Sequence, residues 1–264
     1  MLIVITGGTS GIGLHTAKKL LEQGHKTILL GLNKENQSSV EKQLSQWKSN
    51  FETLFFDLSN FEDLKKNCDL ILNKWGAPDV LINNAGATTY ETFNDMNFDQ
   101  IHRDINVNFT GAVLLTKYFL SHFVKRKKGH IINVSSIAGD IVLMPNMVYM
   151  SCKQALNAWS EALRIELEPF SINVSLVCPG RVDTAFFDHE TFKKRIQRPE
   201  MKIALPADSV AKKIVNLLST PKNKIYIPFH YSLIAWLYRA IPGIKEIAFR
   251  HLLRNRIRDY YRRT

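Results

Sequence analysis

Short apolar segments alternate along the chain with longer segments whose apolar residues recur at helical spacing. The short segments are rich in Ile, Val, Leu and Phe, and they lack the strict polar alternation of a strand with one solvated face. This pattern is typical of a parallel sheet covered on both faces. Seven strands are predicted, at Leu2–Ile5, Lys26–Leu30, Phe51–Phe56, Val80–Ile82, His130–Val134, Asn173–Val177 and Lys224–Ile227.

The segments between these strands predict helices. Their alternation with the strands predicts an α/β fold of the Rossmann type, in which a doubly wound, parallel, seven-stranded sheet is joined by right-handed crossovers. The six predicted helices are Gly13–Gln23, Asn36–Lys48, Phe61–Trp75, Phe98–Lys125, Val148–Leu167 and Ala207–Leu218.

The same rhythm predicts the domain organisation. Residues 1–227 are expected to form a single domain. The rhythm breaks at residues 184–206, a segment long enough to be a mobile loop or a helical lid over a site. Residues 228–264 are expected to form a C-terminal helical extension.

Composition agrees with a one-domain globular protein, since the 264 residues are 45% hydrophobic and 22% charged. The cysteines Cys68, Cys152 and Cys178 are odd in number and lack metal-ligand spacing. We therefore expect no disulfide framework and no metal site, and a reducing compartment such as the cytoplasm. Residues 1–5 run directly into a glycine-rich turn, which predicts a first strand and no targeting segment.

The net charge of +11 is unevenly distributed, since residues 228–264 hold eight Lys and Arg against Glu246 and Asp259. Aromatic and aliphatic residues such as Trp236 and Phe249 lie beside these cations. This combination predicts peripheral contact with an anionic membrane surface, and the alternative is that the segment packs on the domain or on a partner subunit. No nucleic-acid motif accompanies the charge, so no nucleic-acid partner is expected.

A glycine-rich turn follows the first strand and leads into a helix, with the spacing Gly7-x3-Gly11-x-Gly13. A pyrophosphate approaching a helix N-terminus meets unpaired N–H groups and the positive end of the helix dipole, and glycine leaves room for that approach. The turn therefore predicts dinucleotide binding, although a tight structural turn is an alternative. The predicted contacts are Gly7, Thr9, Ser10, Gly11, Ile12 and Gly13.

The end of the second strand bears on which dinucleotide is bound. NAD-binding sheets usually carry an acid there, and no acid sits at the tip of this strand, which reads Leu29-Leu30-Gly31-Leu32-Asn33-Lys34. The arginine often seen in NADP binders is also absent, because Leu32 occupies its place. We expect Lys34, together with Asn33, to reach a 2′-phosphate, which favours NADP over NAD. The alternative is that Lys34 is a solvated loop lysine beside Glu35.

Tyr149 and Lys153 are spaced to lie one helical turn apart on one face. An ammonium about 4 to 5 Å from the phenol, at an effective dielectric near 20, contributes roughly 3 to 4 kcal/mol to the phenolate. The expected effect is to lower the phenol's pKa by about two to three pH units before desolvation opposes it. Ser136 follows a strand whose carboxyl end is where open α/β sheets bind ligands, so its hydroxyl is expected near the tyrosine.

Across about residues 1–230 the sequence closely resembles the short-chain dehydrogenase/reductases. Four blocks agree in order and spacing, and together they are very specific. They are Thr6-Gly7-x3-Gly11-Ile12-Gly13, Asn83-Asn84-Ala85-Gly86, Ser136 with Tyr149-x3-Lys153, and Pro179-Gly180 with Thr184.

The resemblance implies a catalytic role for four residues. Tyr149 would donate the proton in reduction, and Lys153 would lower its pKa and bind the nicotinamide ribose. Ser136 would orient the substrate oxygen. Asn108 resembles the family's asparagine that holds a water beside the lysine, and Asn106 is its rival for that role.

The resemblance also implies cofactor contacts. Asp57 would hold the adenine amino group, Asn84 and Ala85 would line the adenosine side, and Val182 and Thr184 would contact the nicotinamide carboxamide. Alternatives are that Asn84 closes a turn and that Asp57 caps the helix after it. The further implied contacts are Leu58, Gly86, Pro179 and Gly180.

The resulting hypothesis is an oxidoreductase that transfers a hydride between NADP(H) and a carbonyl or alcohol group, and the alternative is a non-catalytic NADP-binding redox sensor. A lipophilic substrate, and with it a role in lipid metabolism, is favoured by Phe and Met residues that would otherwise pack the domain or a dimer contact. These are Met144, Met147, Phe186, Phe187, Phe192 and Met201. By resemblance, the helices predicted at 98–125 and 148–167 would build a homodimer or homotetramer.

Overall fold

The structure, a computed structural model, describes residues 1–142, 145–187, 204–241 and 243, without the side chain of Phe187. Its main sheet confirms the predicted fold. Seven parallel strands lie in the order β3-β2-β1-β4-β5-β6-β9, and the order reverses between β1 and β4. The strands are β1 (Leu2–Thr6), β2 (Lys26–Gly31), β3 (Phe51–Phe55), β4 (Val80–Asn83), β5 (Gly129–Val134), β6 (Ile172–Pro179) and β9 (Lys224–Ile227).

Helices cover both faces of this sheet. Successive residues of a strand point to opposite faces, so Ile3 and Ile5 lie in one apolar cluster and Val4 lies in the other. Both faces are buried, which explains the missing polar alternation. The helices are α1 (Gly11–Glu22), α2 (Gln37–Gln43), α3 (Phe61–Trp75), α4 (Phe98–Ile105), α5 (Gly111–Arg126), α6 (Met147–Leu167), α7 (Ala207–Ser219) and α8 (Tyr231–Ala240).

Two predicted helices are interrupted. The helix predicted at 36–48 is a short α2 between 3₁₀ turns at Lys34–Asn36 and Ser45–Trp47. Its segment is rich in Asn, Gln and Ser, which compete for backbone hydrogen bonds and weaken a helix. The helix predicted at 98–125 contains a π-helical segment, Asn106–Thr110, between α4 and α5. The extra residue of a π-turn often marks a functional site.

The two ends of the segment predicted as a loop or lid are joined by a small sheet. Strand β7 (Val182–Asp183) pairs in parallel with β8 (Leu205–Pro206). This pair was not predicted from the sequence, because two-residue strands carry no periodicity. Residues 188–203 of that segment lie outside the described residues.

The predicted C-terminal extension begins with α8. This helix leaves several apolar side chains exposed, among them Trp236, at 62%, and Phe229 just before the helix is 83% exposed. Among the residues described, no helix combines the length and apolar character needed to cross a membrane.

Buried His130 makes the stability of the fold depend on pH. Its ring is 5% exposed on β5 and its Nε2 lies 2.8 Å from Ser175 Oγ. Burial lowers the pKa of His130 from 6.5 to about 4, so the unfolded chain takes up a proton that the fold excludes. The stability from neutral His130 is present above pH 6.5 and is lost as the pH falls towards 4.

We therefore expect His130 to reduce the free energy of unfolding by about 2 kcal/mol between pH 8 and pH 5. Urea unfolding at both values measures the difference, and His130→Gln should shrink it by that amount. The matched control is His102→Gln at an exposed position on α4, which should keep the wild-type difference. An unchanged difference in His130→Gln would contradict the assignment.

Candidate active site

A cavity of about 860 Å³ opens at the carboxyl edge of the main sheet, at the point where the strand order reverses. Open α/β sheets bind ligands at this place. Of the predicted site residues, those that line the cavity are Gly7, Thr9, Ser10, Gly11, Ile12, Asn33, Asn84, Ala85, Gly86, Ser136, Tyr149, Lys153, Pro179, Gly180, Val182 and Thr184.

The glycine turn between β1 and α1 is closely packed backbone. Gly7 and Gly11 have φ values of +61° and +48°, where a side chain is strained. A Cβ on Gly13 would lie 2.1 Å from the carbonyl oxygen of Gly7. Position 13, in the first turn of α1, therefore has room only for a residue without a side chain.

The turn is held by the loop after β4. The side-chain amide of Asn84 donates to the carbonyl oxygens of Thr6, at 3.0 Å, and Gly7, at 3.2 Å. In return, the Thr6 hydroxyl accepts the backbone N–H groups of Asn84 and Ala85, both at 2.9 Å. Asn84 thus closes a turn, as the alternative interpretation expected, and it also lines the cavity.

The residues after β2 form one end of the cavity. Gly31 packs against Thr9 of the glycine turn, Leu32 is 62% exposed, and Asn33 lines the wall. Lys34 is exposed and does not line the cavity. The polar residues Asn36, Ser39 and Gln43 do line it, although they were not predicted from the sequence. Their spacing of three and four residues was the available signal.

Asp57 and Leu58 lie outside the cavity wall. The Asp57 carboxylate accepts the backbone N–H of Ser59 at 2.8 Å. The N-cap of α3 is Asn60, whose side chain accepts the N–H of Asp63 at 3.2 Å, so the alternative that Asp57 caps this helix is wrong. Leu58 packs with the apolar cluster that includes α3 and α5.

The side chains of Ser136, Tyr149 and Lys153 converge on the cavity. Ser136 follows β5, and hydrogen bonding by its side chain is one of the influences on the pKa of Tyr149. Lys153 lies one turn after Tyr149 on α6, with its Nζ 5.6 Å from the centre of the tyrosine ring. The same ammonium donates to the carbonyl oxygen of Val134 at 3.1 Å, which fixes it beneath the phenol.

Burial dominates the protonation of this pair in the protein alone. Desolvation raises the pKa of Tyr149 to about 12, while the hydrogen bond with Ser136 acts to lower it. The net direction is opposite to the lowering expected from the spacing. Desolvation also lowers the pKa of Lys153 to about 8, because an ammonium away from water is disfavoured.

The π-helical segment supplies Asn108, which is 1% exposed. Its amide nitrogen donates to the carbonyl oxygens of Ala87, at 2.6 Å, and Asp104, at 2.7 Å. A Cβ on Gly86 would lie 3.2 Å from the Asn108 oxygen and 3.9 Å from Lys153 Nζ, so the two side chains meet across Gly86. Its rival Asn106 is partly exposed at the start of the segment.

The far wall is built by the segment after β6. A Cβ on Gly11 would lie 3.1 Å from the Thr184 methyl group, which brings this segment over the glycine turn. Phe186 lies with its ring centre 5.7 Å from that of Tyr149. Of the other residues proposed to favour a lipophilic substrate, Met147 begins α6 and is absent from the wall. Met144, Phe192 and Met201 lie outside the described residues, as does the side chain of Phe187.

Comparison with known proteins agrees with this geometry. Residues 1–195 match the family model of the short chain dehydrogenases. The chain belongs to this family. It is a NAD(P)-dependent dehydrogenase/reductase, as its sequence predicted.

The matches to related proteins cover most of this chain. An uncharacterized oxidoreductase of Bacillus subtilis, YxnA, is 30% identical over 93% of this chain and 70% of its own length. A 3-ketodihydrosphingosine reductase of Bacteroides thetaiotaomicron is 34% identical over 73% of this chain and 68% of its own length. The closed form of serine dehydrogenase complexed with NADP⁺ is 26% identical, with a TM-score of 0.78 over 86% of this chain and 94% of that one.

The packing of Gly13 predicts that Gly13→Ala weakens dinucleotide binding, because the new methyl group would have to displace the Gly7 carbonyl. We expect a loss of at least about tenfold in affinity, measured by fluorescence titration with NADPH. Gln154→Ala, at a position on α6 that does not line this cavity, is the control and should bind normally. Normal binding by Gly13→Ala would mean that the turn does not receive the nucleotide.

Proposed function

We propose that the protein transfers a hydride between NADP(H) and a carbonyl or alcohol carbon of a lipophilic substrate. The observation that carries this proposal is the convergence of Ser136, Tyr149 and Lys153 on a cavity that is also lined by the glycine turn. The nucleotide, once bound, supplies or accepts the hydride.

The chain's own residues handle the proton. In reduction, the Tyr149 hydroxyl donates its proton to the substrate oxygen, and Ser136 donates a hydrogen bond to the same oxygen and orients it. The Lys153 ammonium stabilises the phenolate left behind. Asn108, which faces Lys153 across Gly86, is suited to hold a water that returns a proton to this pair.

The charge of the cavity supports NADP as the cofactor. Among the described residues that line it there is no Asp or Glu, while Lys153, Arg181 and His15 contribute basic groups. An acid at the end of β2 would repel a 2′-phosphate, and neutral donors such as Asn33 and Asn36 stand there instead. The related serine dehydrogenase was solved with NADP⁺, which agrees.

A lipophilic substrate is supported by apolar side chains in the cavity. Phe186 lies beside Tyr149, and Ile137 and Val182 line the same cavity. The relative from Bacteroides thetaiotaomicron is named as a 3-ketodihydrosphingosine reductase, and this analogy supports a role for this chain in lipid metabolism. A non-catalytic redox sensor is the second candidate, but a sensor has no need of the serine–tyrosine–lysine cluster.

The proposal also covers the compartment, the oligomeric state and the membrane contact of the enzyme. Three free, buried cysteines agree with a reducing compartment such as the cytoplasm. Ile165 on α6 is 74% exposed, which agrees with a homodimer or homotetramer built on this helix. Residues 228–264 contact an anionic membrane surface, supported by the exposed apolar side chains of α8 and the basic residues after it.

Tyr149→Phe should abolish turnover while leaving nucleotide binding intact, because it removes only the proton donor. We expect kcat to fall by at least about 100-fold. The measurement is NADPH consumption with a panel of steroid, retinoid, long-chain acyl and sugar carbonyls, beside a fluorescence titration of bound NADPH.

Tyr118→Phe is the matched control, since this tyrosine bonds Asp69 away from the cavity, and it should keep wild-type turnover. Persisting turnover in Tyr149→Phe would remove Tyr149 as the acid. Wild-type binding of NADPH without turnover of any carbonyl would favour the sensor, and a higher kcat/KM with NADH would reverse the cofactor preference.

The membrane contact is tested by changing Phe229, Leu233 and Trp236, which are 83%, 57% and 62% exposed, to Ser. Sedimentation with phosphatidylglycerol vesicles should fall by at least about tenfold, because three apolar side chains no longer enter the interface. Phe61→Ser with Leu70→Ser, at 51% and 43% exposure on α3, is the control and should not change it. No sedimentation of the wild type, or an equal loss in the control, would exclude the contact.

A further inference from the structure

Helix α8 contacts both loops that flank the catalytic tyrosine. One loop follows β5 and carries Ser136, and the other follows β6 and carries Gly180. The contacts come from three residues of the helix, Tyr231, Tyr238 and Arg239. A segment that looks like an extension in the sequence is therefore packed on the active-site rim.

The central contact is the carboxylate of Asp140, four residues after Ser136. Its side chain is fully buried. It accepts hydrogen bonds from Lys224 Nζ at 2.9 Å and from the Tyr226 hydroxyl at 3.0 Å, both on β9, and it also pairs with the guanidinium of Arg239 on α8. A buried carboxylate needs such partners, because its lost hydration must be replaced.

Two further contacts place the helix. The backbone N–H of Val142 donates to the Tyr238 hydroxyl at 3.3 Å. The ring of Tyr231 lies so close to Gly180 that a Cβ there would be 2.2 Å from it, and Gly180 lines the active-site cavity. The helix is thus fixed against each loop by a separate side chain.

The opposite side of the Ser136 loop has its own anchor. Asn157 on α6 donates to the carbonyl oxygen of Gly139 at 2.9 Å and accepts from the Ser135 hydroxyl at 2.6 Å. Beyond Gly139 a cavity of about 310 Å³ separates the loop from α6, and Tyr238 and Arg239 form part of its wall. At Asp140 and Val142 the loop is therefore held by contacts with α8 and β9.

We propose that Asp140 and Arg239 are positioning residues, through which α8 sets the place of Ser136 relative to Tyr149. Neither residue lines the active-site cavity, so each acts through the loop. The inference rests on the proposed function only where turnover is measured, and backbone exchange gives a second readout that needs no substrate.

The test variant is Arg239→Met, which keeps the length of the aliphatic stem and removes the charge. Lys224 still pairs with Asp140, so the carboxylate is not left alone and the fold should survive. We expect kcat to fall by about tenfold, since small displacements of an orienting group are costly, with the Kd for NADPH unchanged. Hydrogen–deuterium exchange of residues 136–142 should rise.

The conservative variant Arg239→Lys should recover most of the lost kcat. Asp140→Asn should lower kcat at least as far as Arg239→Met does, because it also weakens the contacts with Lys224 and Tyr226. The double variant should be no worse than Asp140→Asn alone, because the Arg239 contact is already lost in that variant. The matched control is Arg126→Met on α5, which breaks an ion pair between Arg126 and Asp79 at 3.5 Å. It should change neither kcat nor exchange of the loop.

Unchanged exchange of residues 136–142 in Arg239→Met overturns the inference, whether or not a substrate has been found. An equal fall of kcat in Arg239→Met and Arg126→Met also overturns it, since that marks a general loss of stability. An absence of turnover in the wild type would instead contradict the proposed function and leave the exchange measurement to decide the positioning role.

Discussion

The active site depends on an ammonium kept away from water. Lys153 is 3% exposed, and its Nζ is held by the Val134 carbonyl at 3.1 Å beside the ring of Tyr149. Burial drives both groups towards their neutral forms, lowering the pKa of the lysine and raising that of the tyrosine. The charged form of each group lowers the cost of burying the charged form of the other, because a phenolate and an ammonium form an ion pair. Under the proposed function, the pair exchanges a proton as a unit once a bound oxidised nucleotide adds positive charge.

The rest of the site is arranged around this pair by the reversal of strand order between β1 and β4. Parallel strands deliver their loops to one edge, so the glycine turn after β1, Asn84 after β4 and Ser136 after β5 meet without any long connection. The Thr6 hydroxyl and the Asn84 amide then lock two of these loops together. The geometry of this candidate site is a consequence of sheet topology, and side-chain hydrogen bonds supply the final alignment.

Local patterns were sufficient for what depends on local spacing. The strands follow from apolar runs, and the Tyr149–Lys153 pair follows from one helical turn. The sign of the Tyr149 pKa shift did not follow, because desolvation depends on what the whole chain packs around the phenol. The π-helical turn that presents Asn108 was equally hidden, since its apolar pattern continues through α5. Asn36, Ser39 and Gln43 were missed because their contact with the cavity is set by how their segment packs in the fold.

The C-terminal segment shows most clearly how composition and contact can point to different roles. Its exposed aromatic residues and basic end favour contact with a lipid surface. Tyr231, Tyr238 and Arg239 of the same segment contact the loops that follow β5 and β6. These roles are compatible, because one face of an amphipathic helix can contact lipid while the other packs on the domain. Deleting residues 228–264 would remove both at once, and would also strip Asp140 of its ion pair with Arg239. Any loss of activity in such a truncation therefore says nothing about membranes, and substitutions confined to one face are what separate the two roles.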